Sequence, residues 1–134
     1  MASFILEVVT PLKKVLEQEA EFLLIRTTEG DLGVLPNHSP FVAELATGEM
    51  KIESKGVENF FYISGGFMEI SNNRVIILAD EAMDVKDIDL ELARKEARIV
   101  QEKLEKINED REFALTQKTL SQALAKVRIA EKNL

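Results

Sequence analysis

His38 is the residue in this chain best suited to proton transfer or metal binding, and it is the single histidine. It lies in the segment LPNHSP, between Pro36 and Pro40. A histidine base needs a proton-exchanging partner nearby, and a metal ion needs several ligands. The nearest carboxylates along the sequence, Asp31 and Glu44, are six or seven residues away. The spacing therefore favours a shaped surface loop that contacts a partner over a catalytic or metal site.

Gly65-Gly66 is a second pattern that could belong to a ligand site, in this case a phosphate cradle. The pair lacks the full glycine-rich spacing of such loops. It also does not open a helix, because the residues that follow, FMEIS (Phe67–Ser71), have the pattern of a strand. The sequence therefore predicts a strand bend or bulge at this pair.

An acidic run places five carboxylates within ten residues: Asp80, Glu81, Asp84, Asp87 and Asp89. A cation site would be conceivable, but the run has neither the spacing nor the glycine of a calcium loop. Carboxylates are favourable at the positive end of a helix dipole. The run is therefore interpreted as the start of a helix.

The last 24 residues form a local basic patch in an acidic protein. From Arg111 to Leu134 there are five basic and two acidic residues, whereas the whole chain has a net charge of -7. Such a patch is either a solvated helix face or a surface that docks onto an acidic partner, and the pattern leaves both open.

The composition excludes several classes of protein. The 134 residues include no cysteine, which excludes a disulfide scaffold, a thiolate zinc site and a cysteine nucleophile. The net negative charge argues against nucleic acid as a partner. No apolar run approaches the ~20 residues that span a bilayer, and Met1–Thr10 alternates and carries Glu7, unlike a signal peptide. The residues predict neither an enzyme nor a bound cofactor.

The first half of the chain has the distribution of turn-forming residues that is typical of an all-β domain. All six glycines and all three prolines precede Phe67, at intervals that suit short strands joined by turns. Asn72-Asn73 suits a tight hairpin turn. The pattern predicts an antiparallel sandwich or flattened barrel, with strands at Phe4–Val9, Glu21–Thr27, Gly33–Leu35, Glu49–Ser54, Glu58–Ser64, Phe67–Ser71 and Arg74–Ala79.

The second half, from near Asp87, has helical periodicity. Two apolar stripes step by three and four residues, and the residues between them, from Asn108 to Arg111, are polar. Asp110 is the predicted N-cap of the second helix. So short a connection predicts an antiparallel hairpin, and its alanine-rich seam buries little area, so we expect the hairpin to be weakly held and able to detach. The stripes are Ala93, Ala97, Val100, Leu104 and Ile107, then Leu120, Ala123, Val127, Ala130 and Leu134, with Phe113 one turn earlier.

Three stretches carry a resemblance to a known family. They are LGVLPNHSPFV (Leu32–Val42), ISGGFMEISNNRVIILADEA (Ile63–Ala82) and KDIDLELARKEA (Lys86–Ala97), and the chain ends in AKVRIAEKNL. In these motifs, in their order and in the change from β to α, the chain resembles the epsilon subunit of F-type ATP synthases, of the bacterial or chloroplast type. The first two motifs are the specific ones.

The resemblance implies an α+β protein, with a ten-stranded antiparallel β-sandwich over residues 1–85 and an antiparallel two-helix hairpin over residues 86–134. It implies a non-catalytic rotor subunit of the central stalk that binds the gamma subunit, rests on the membrane ring of c subunits and couples proton or sodium flow to ATP synthesis. The expected location is peripheral, on the cytoplasmic face of the bacterial inner membrane, with the chloroplast thylakoid as the alternative. The resemblance assigns the ring and gamma contact to Gly30, Asp31, Gly33, Leu35, Pro36, His38 and Ser39.

The resemblance also implies inhibition of ATP hydrolysis. In this family the hairpin opens and the last helix rises between gamma and the catalytic alpha and beta subunits. The basic residues that would then meet acidic partners are Arg111, Lys118, Lys126 and Arg128.

The nucleotide motif of the family, Ile/Leu-Asp-x-x-Arg-Ala, is degenerate here. Some members use it to bind ATP and hold the hairpin down. Ile88, Asp89 and Ala93 match the motif, but the arginine position is Leu92 and the position of a glutamate six residues before the aspartate is Met83. Arg94 lies about 200° further around a helix from Leu92. Because charge-assisted hydrogen bonds are the strong ones, weak or no ATP binding is expected.

Two other functions remain as alternatives to a rotor subunit. One is a nucleotide-sensing regulatory module built from the same sandwich and hairpin. The other is a stand-alone β-sandwich adaptor with a helical tail, which is what periodicity alone supports. The sequence leaves the coupling ion open between proton and sodium.

Overall fold

The computed structural model describes residues 2–107 and 109–133. They form ten strands, a 3₁₀ turn and two α-helices. The chain divides into two compact units, one ending at Asp84 and the other beginning at Val85. The predicted α+β class is confirmed.

The first unit consists of two five-stranded sheets. One has the order β2-β1-β9-β8-β5 and the other the order β10-β7-β6-β3-β4. Neighbouring strands are antiparallel except β1 and β9, which are parallel. The strands are β1 Phe4–Val9, β2 Lys14–Ala20, β3 Phe22–Thr27, β4 Gly30–Val34, β5 Phe41–Glu44, β6 Gly48–Ser54, β7 Val57–Ser64, β8 Phe67–Ser71, β9 Arg74–Leu78 and β10 Glu81–Asp84.

The core of this unit lies between the sheets and follows from strand alternation. In β1 the side chains of Phe4, Leu6 and Val8 are buried, and the residues between them are half-buried, because successive side chains on a strand point to opposite faces. Buried residues of both sheets, such as Leu23 and Ile77, join the same apolar cluster. The predicted sandwich is confirmed.

Gly65 and Gly66 connect the two sheets. They lie between β7 in one sheet and β8 in the other, and both have positive φ, 67° and 98°. A Cβ atom on Gly66 would overlap the carbonyl oxygen of Leu78. The pair is therefore a bend that a residue with a side chain would strain, as predicted.

The second unit contains the helical hairpin. After a 3₁₀ turn at Val85–Asp87, helix α1 spans Leu90–Glu105 and helix α2 spans Asp110–Asn133. Arg94, near the start of α1, pairs with Glu131, near the end of α2, so the helices are antiparallel as predicted. The buried residues of the seam are Ala93, Ala97 and Leu104 of α1 and Thr116, Leu120, Ala125, Ile129 and Ala130 of α2.

Three strands were not predicted: β2, β5 and β10. β2 (KVLEQEA) and β5 (FVAE) are sheet edges, where one side of the backbone faces no neighbouring strand. Their side chains are exposed or half-buried, except for the buried Ala20, and give no clean alternation. β10 was missed for a different reason. The acidic run that contains it was predicted to be the start of a helix, and that prediction is wrong for β10. Glu81 and Asp84 lie in β10, and it is Asp89 that begins a helix.

The face of α2 also differs from the prediction. Ala123 and Val127 are only half-buried and Phe113 is exposed, whereas Ala125 and Ile129 are buried. Two overlapping stripes fit the α2 sequence, and packing against α1 selects between them. Asp110 is the first residue of α2 and not its cap. Val100 and Ile107 of the α1 stripe are half-buried, and the predicted positions Asn108 and Leu134 lie outside the described residues.

Candidate functional site

The segment from residue 30 to residue 40, here called the partner loop, is the first candidate surface. It begins as β4, an edge strand of its sheet, and continues as an irregular connection to β5. All seven residues predicted to contact the ring and gamma lie in this segment. Leu35 is 61% exposed, and Asp31, Gly33 and Ser39 are exposed as well. The arrangement presents polar and apolar groups side by side on ordered backbone, as a contact surface for another protein requires.

Asp31 is held by an arginine that the sequence analysis did not single out. Arg26 of β3 lies opposite Asp31 in the strand register, and its Nε atom donates to Asp31 Oδ1 at 2.6 Å. This hydrogen bond, together with the charge of Asp31, raises the pKa of Arg26. Both side chains are about half exposed, so the pair adds little stability. It does fix where the carboxylate points.

His38 of the partner loop is oriented by Ser39 and by Phe41, the first residue of β5. Its Nδ1 atom donates to the carbonyl oxygen of Ser39 at 2.7 Å, and its ring lies 6.2 Å from the ring of Phe41. The preceding residue, Asn37, has a left-handed backbone with φ of 62°. Of the described residues, none belongs to a group of three or more side chains that could hold a metal ion. The arrangement of His38 suits surface contact.

The basic residues of α2 form the second candidate surface. Arg111, Lys118 and Arg128 are exposed, and Lys126 is half-buried. Arg111 and Lys118 are seven residues apart and therefore share one face, because seven residues are close to two helical turns. Lys126 and Arg128 are two residues apart, about 200° around the helix, and therefore point to nearly opposite sides of it. The four cationic side chains are thus distributed along and around most of α2.

A groove of about 420 Å³ runs along the hairpin. Its lining includes the apolar residues Leu120, Leu124 and Val127 of α2 and the cationic residues Arg94 and Arg98 of α1. Neither helix in the part of the chain covered by the structure is long and apolar enough to cross a membrane.

Comparisons with known proteins identify the family. A family model described as ATP synthase, Delta/Epsilon chain, beta-sandwich domain matches residues 3–85. The sodium ion specific ATP synthase epsilon chain of Propionigenium modestum is 60% identical over 131 residues, covering 98% of this chain and 96% of that one. This chain belongs to the ATP synthase epsilon-chain family. A further relative, the ATP synthase epsilon chain of Nitratidesulfovibrio vulgaris, is 39% identical over 124 residues, 92% of each chain.

Solved structures extend the likeness of this epsilon-family chain to three dimensions. A chain in the cryo-EM structure of the Euglena gracilis mitochondrial ATP synthase, OSCP/F1/c-ring in rotational state 1, superposes with a TM-score of 0.73 at 28% identity. The likeness covers 98% of this chain and 79% of that one. A chain in the Tetrahymena thermophila central stalk and c-ring structure has a TM-score of 0.59 at 18% identity, which supports the fold alone.

Ile88, Asp89 and Ala93, the residues that match the predicted nucleotide motif, have structural roles in the second unit. Asp89 caps α1, because its Oδ1 atom accepts from the backbone N–H of Leu92 at 3.1 Å. Ile88 and Ala93 are buried. Leu92, at the motif's arginine position, is 51% exposed, and Met83 lies in β10. The contacts of these three residues involve no nucleotide.

Arg94 is the residue of the hairpin whose role the sequence did not reveal. Its guanidinium group pairs with Glu91 one turn earlier at 3.0 Å and with Glu131 of α2 at 3.1 Å. The pairing with Glu131 spans 37 residues of sequence, a separation at which periodicity says nothing about contact. In this epsilon-family chain Arg94 thus joins the two helices.

Proposed function

We propose that this protein is a rotor subunit of the ATP synthase central stalk, coupling ion flow through the membrane ring to ATP synthesis. The observation that carries the proposal is 60% identity, over nearly the full length of both chains, to an epsilon chain named as sodium ion specific. The likeness to a chain in an F1/c-ring assembly points in the same direction. Transport assays of the assembled enzyme with sodium ions and with protons would distinguish the two coupling ions.

The β-sandwich, residues 1–85, is the coupling module in this proposal. Its partner loop contacts the ring of c subunits and the gamma subunit. Asp31 supports this assignment, because Arg26 fixes its exposed carboxylate. The exposed Leu35 supplies apolar area beside it, and a contact needs such area in addition to charge.

The hairpin, residues 86–134, is the inhibitory module. When it opens, α2 enters the space between gamma and the catalytic alpha and beta subunits and blocks ATP hydrolysis. The cationic side chains of α2 support this role, since a helix that carries Arg111, Lys118, Lys126 and Arg128 on several of its faces suits a cleft with acidic walls. The alanine-rich seam supports it as well, because a seam that buries little area separates at low cost.

The protein is an accessory subunit without catalytic residues of its own, and it lies peripherally on the cytoplasmic face of the bacterial inner membrane. ATP is not its regulator. Leu92 offers no charge to a phosphate, and Arg94 is already engaged by two glutamates. Calorimetry with the full-length subunit should detect no ATP binding in the micromolar range, and micromolar binding would favour the nucleotide-sensing alternative.

The coupling role is tested by replacing two side chains of the partner loop in the assembled enzyme. We expect Asp31→Ala combined with His38→Ala to lower the number of ions pumped per ATP hydrolysed at least twofold, because the subunit would lose polar contacts to the ring and gamma. The matched control is Lys13→Ala combined with Glu19→Ala, which removes two exposed charged side chains elsewhere in the sandwich. Equal pumping by wild type, the loop variant and the control would contradict the proposed contact.

A further inference from the structure

The side chain of Asn73 links three distant segments of the β-sandwich. Asn73 lies in the tight turn between β8 and β9. Its Oδ1 atom accepts from the backbone N–H of Asn37 at 2.7 Å, and its Nδ2 atom donates to the carbonyl oxygen of Ser3 at 2.8 Å. Its own carbonyl oxygen accepts from the backbone N–H of Ile5 at 3.3 Å. One residue thus joins the start of the chain, the β8–β9 turn and the partner loop.

The hydrogen bond from Asn37 matters because of where it lies in the partner loop. Asn37 directly precedes His38 and has a left-handed backbone, with φ of 62°. Its neighbours Pro36 and Pro40 carry no backbone N–H, so they cannot donate hydrogen bonds that would fix the loop. The Asn37–Asn73 bond ties the loop to a turn 36 residues further along the chain. It therefore holds the backbone of the residue that directly precedes His38.

Asparagine meets two demands at position 73 that few residues meet together. The turn needs a positive φ, here 58°, which asparagine tolerates better than most residues with a side chain. The site also needs an acceptor facing one N–H group and a donor facing one carbonyl oxygen, and a carboxamide supplies both. The neighbouring Asn72 has a similar φ of 52° but is exposed. The two asparagines therefore share a backbone requirement and differ in their side-chain contacts.

We infer that Asn73 is a positioning residue for the partner loop, holding it in the conformation that meets the rotor ring and gamma. The inference rests on the proposed function of that loop. It assigns a role to a residue outside the loop, in a turn that by itself would serve only to reverse the chain. In this inference the β8–β9 turn and the partner loop are structurally coupled, so a substitution in the turn changes the conformation of the loop.

The test compares Asn73→Gly with Asn72→Gly in the full-length protein. Glycine accepts positive φ at both positions, so the two variants make the same backbone change, and only Asn73→Gly removes the carboxamide that holds the loop. The rate of hydrogen exchange at the Asn37 amide measures how firmly the partner loop is held. Ions pumped per ATP hydrolysed by the assembled enzyme report coupling. The thermal midpoint of the free subunit reports general destabilisation.

We expect Asn73→Gly to speed exchange at the Asn37 amide about fivefold or more, since one hydrogen bond is lost, and to lower pumping per ATP at least twofold. Asn72→Gly should match wild type in both. Asn73→Asp keeps an acceptor for the Asn37 amide and gives up the bond to Ser3, so it should keep near-normal pumping, and this variant serves if Asn73→Gly does not fold.

Unchanged exchange at Asn37, or faster exchange with normal pumping, would overturn the inference, and so would loss of pumping in Asn73→Asp with slow Asn37 exchange. The loop variant Asp31→Ala with His38→Ala distinguishes the positioning role of Asn73 from the proposed contact of the partner loop. If that variant lowers pumping and Asn73→Gly does not, the positioning role alone is wrong. If neither lowers pumping, the proposed contact of the loop is wrong, and the inference falls with it.

Discussion

Tyr62 shows how burial alone can change the chemistry of a residue. It is the single tyrosine of the chain, and its side chain is fully buried in β7. Burial disfavours the charged phenolate, and the nearby charge of Glu81 disfavours it further, so the pKa of Tyr62 rises to about 12. A folded-state pKa above the unfolded value means that stability is retained below pH 10 and lost as the pH rises towards 12.

Because the chain has one tyrosine and no tryptophan, absorbance of the phenolate measures this ionisation directly. We expect a midpoint near 12 for the native subunit and near 10 in denaturant. At about pH 11.5 the wild type should have lost about 2 kcal/mol more of its free energy of unfolding than Tyr62→Phe. A native midpoint near 10 would contradict the burial of Tyr62.

The partner loop shows what sequence can and cannot supply at the scale of single residues. The resemblance assigned Asp31 and His38 to a contact surface, because the motif LGVLPNHSPFV (Leu32–Val42) carries His38 and directly follows Asp31. It did not reveal Arg26 or Asn73, which hold the loop from β3 and from the β8–β9 turn. Pairing between strands depends on register, and register becomes readable only when the turns and their bulges are known.

At the scale of elements, Gly66 decides how the chain passes from one sheet to the other. Its positive φ is costly for any residue with a Cβ atom, and the space for such an atom is already taken by the backbone of Leu78 and Ala79. The sequence predicted a bend here, but it did not reveal that this bend changes sheets. The change of sheet is visible only in the structure, where β7 and β8 belong to separate sheets.

The cost of a side chain at this bend can be measured against a glycine that lacks the overlap. Gly56 also has positive φ, 78°, but open space around its missing Cβ atom. We expect Gly56→Ala to destabilise the subunit by about 1 kcal/mol and Gly66→Ala by roughly 3 kcal/mol or more, because the backbone must also move. Urea unfolding measures both. Equal losses would show that the bend tolerates a side chain.

The helices of the hairpin were predictable as elements, but the face of the second helix was not. The stripe of α1 was correct at Ala93, Ala97 and Leu104. In α2 the choice between Val127 and Ile129 depends on the rotation of the helix about its axis, which is set by contact with α1. Apolar residues that occur on more than one face leave this rotation undetermined.

At the scale of the whole molecule, the two units differ in what holds them together. The sandwich buries large side chains such as Leu6, Met50 and Ile77 completely. Half of the buried residues named in the hairpin seam are alanines (Ala93, Ala97, Ala125 and Ala130), which bury little area, and buried apolar area is the main source of stability. The sequence predicted a weakly held hairpin, because its helical stripes are rich in alanine.

Hydrogen exchange on the full-length subunit tests this contrast. We expect amides in the middle of α2 to exchange at least about a hundredfold faster than those of β1 and β7, because the hairpin should open without unfolding of the sandwich. If the amides of α2 are as protected as the strand amides, the hairpin opens only with the whole protein, and a separate movable inhibitor is excluded.

We propose that the sandwich couples ion flow to ATP synthesis and that the hairpin inhibits ATP hydrolysis. The most direct measurement is the ATP hydrolysis rate, with ion pumping per ATP, of the assembled enzyme lacking residues 111–134. We predict that hydrolysis rises severalfold, because the cationic helix no longer enters the catalytic head, while assembly and pumping per ATP stay at the wild-type level, because the partner loop is intact. An unchanged hydrolysis rate, or pumping lost together with α2, would contradict the claim.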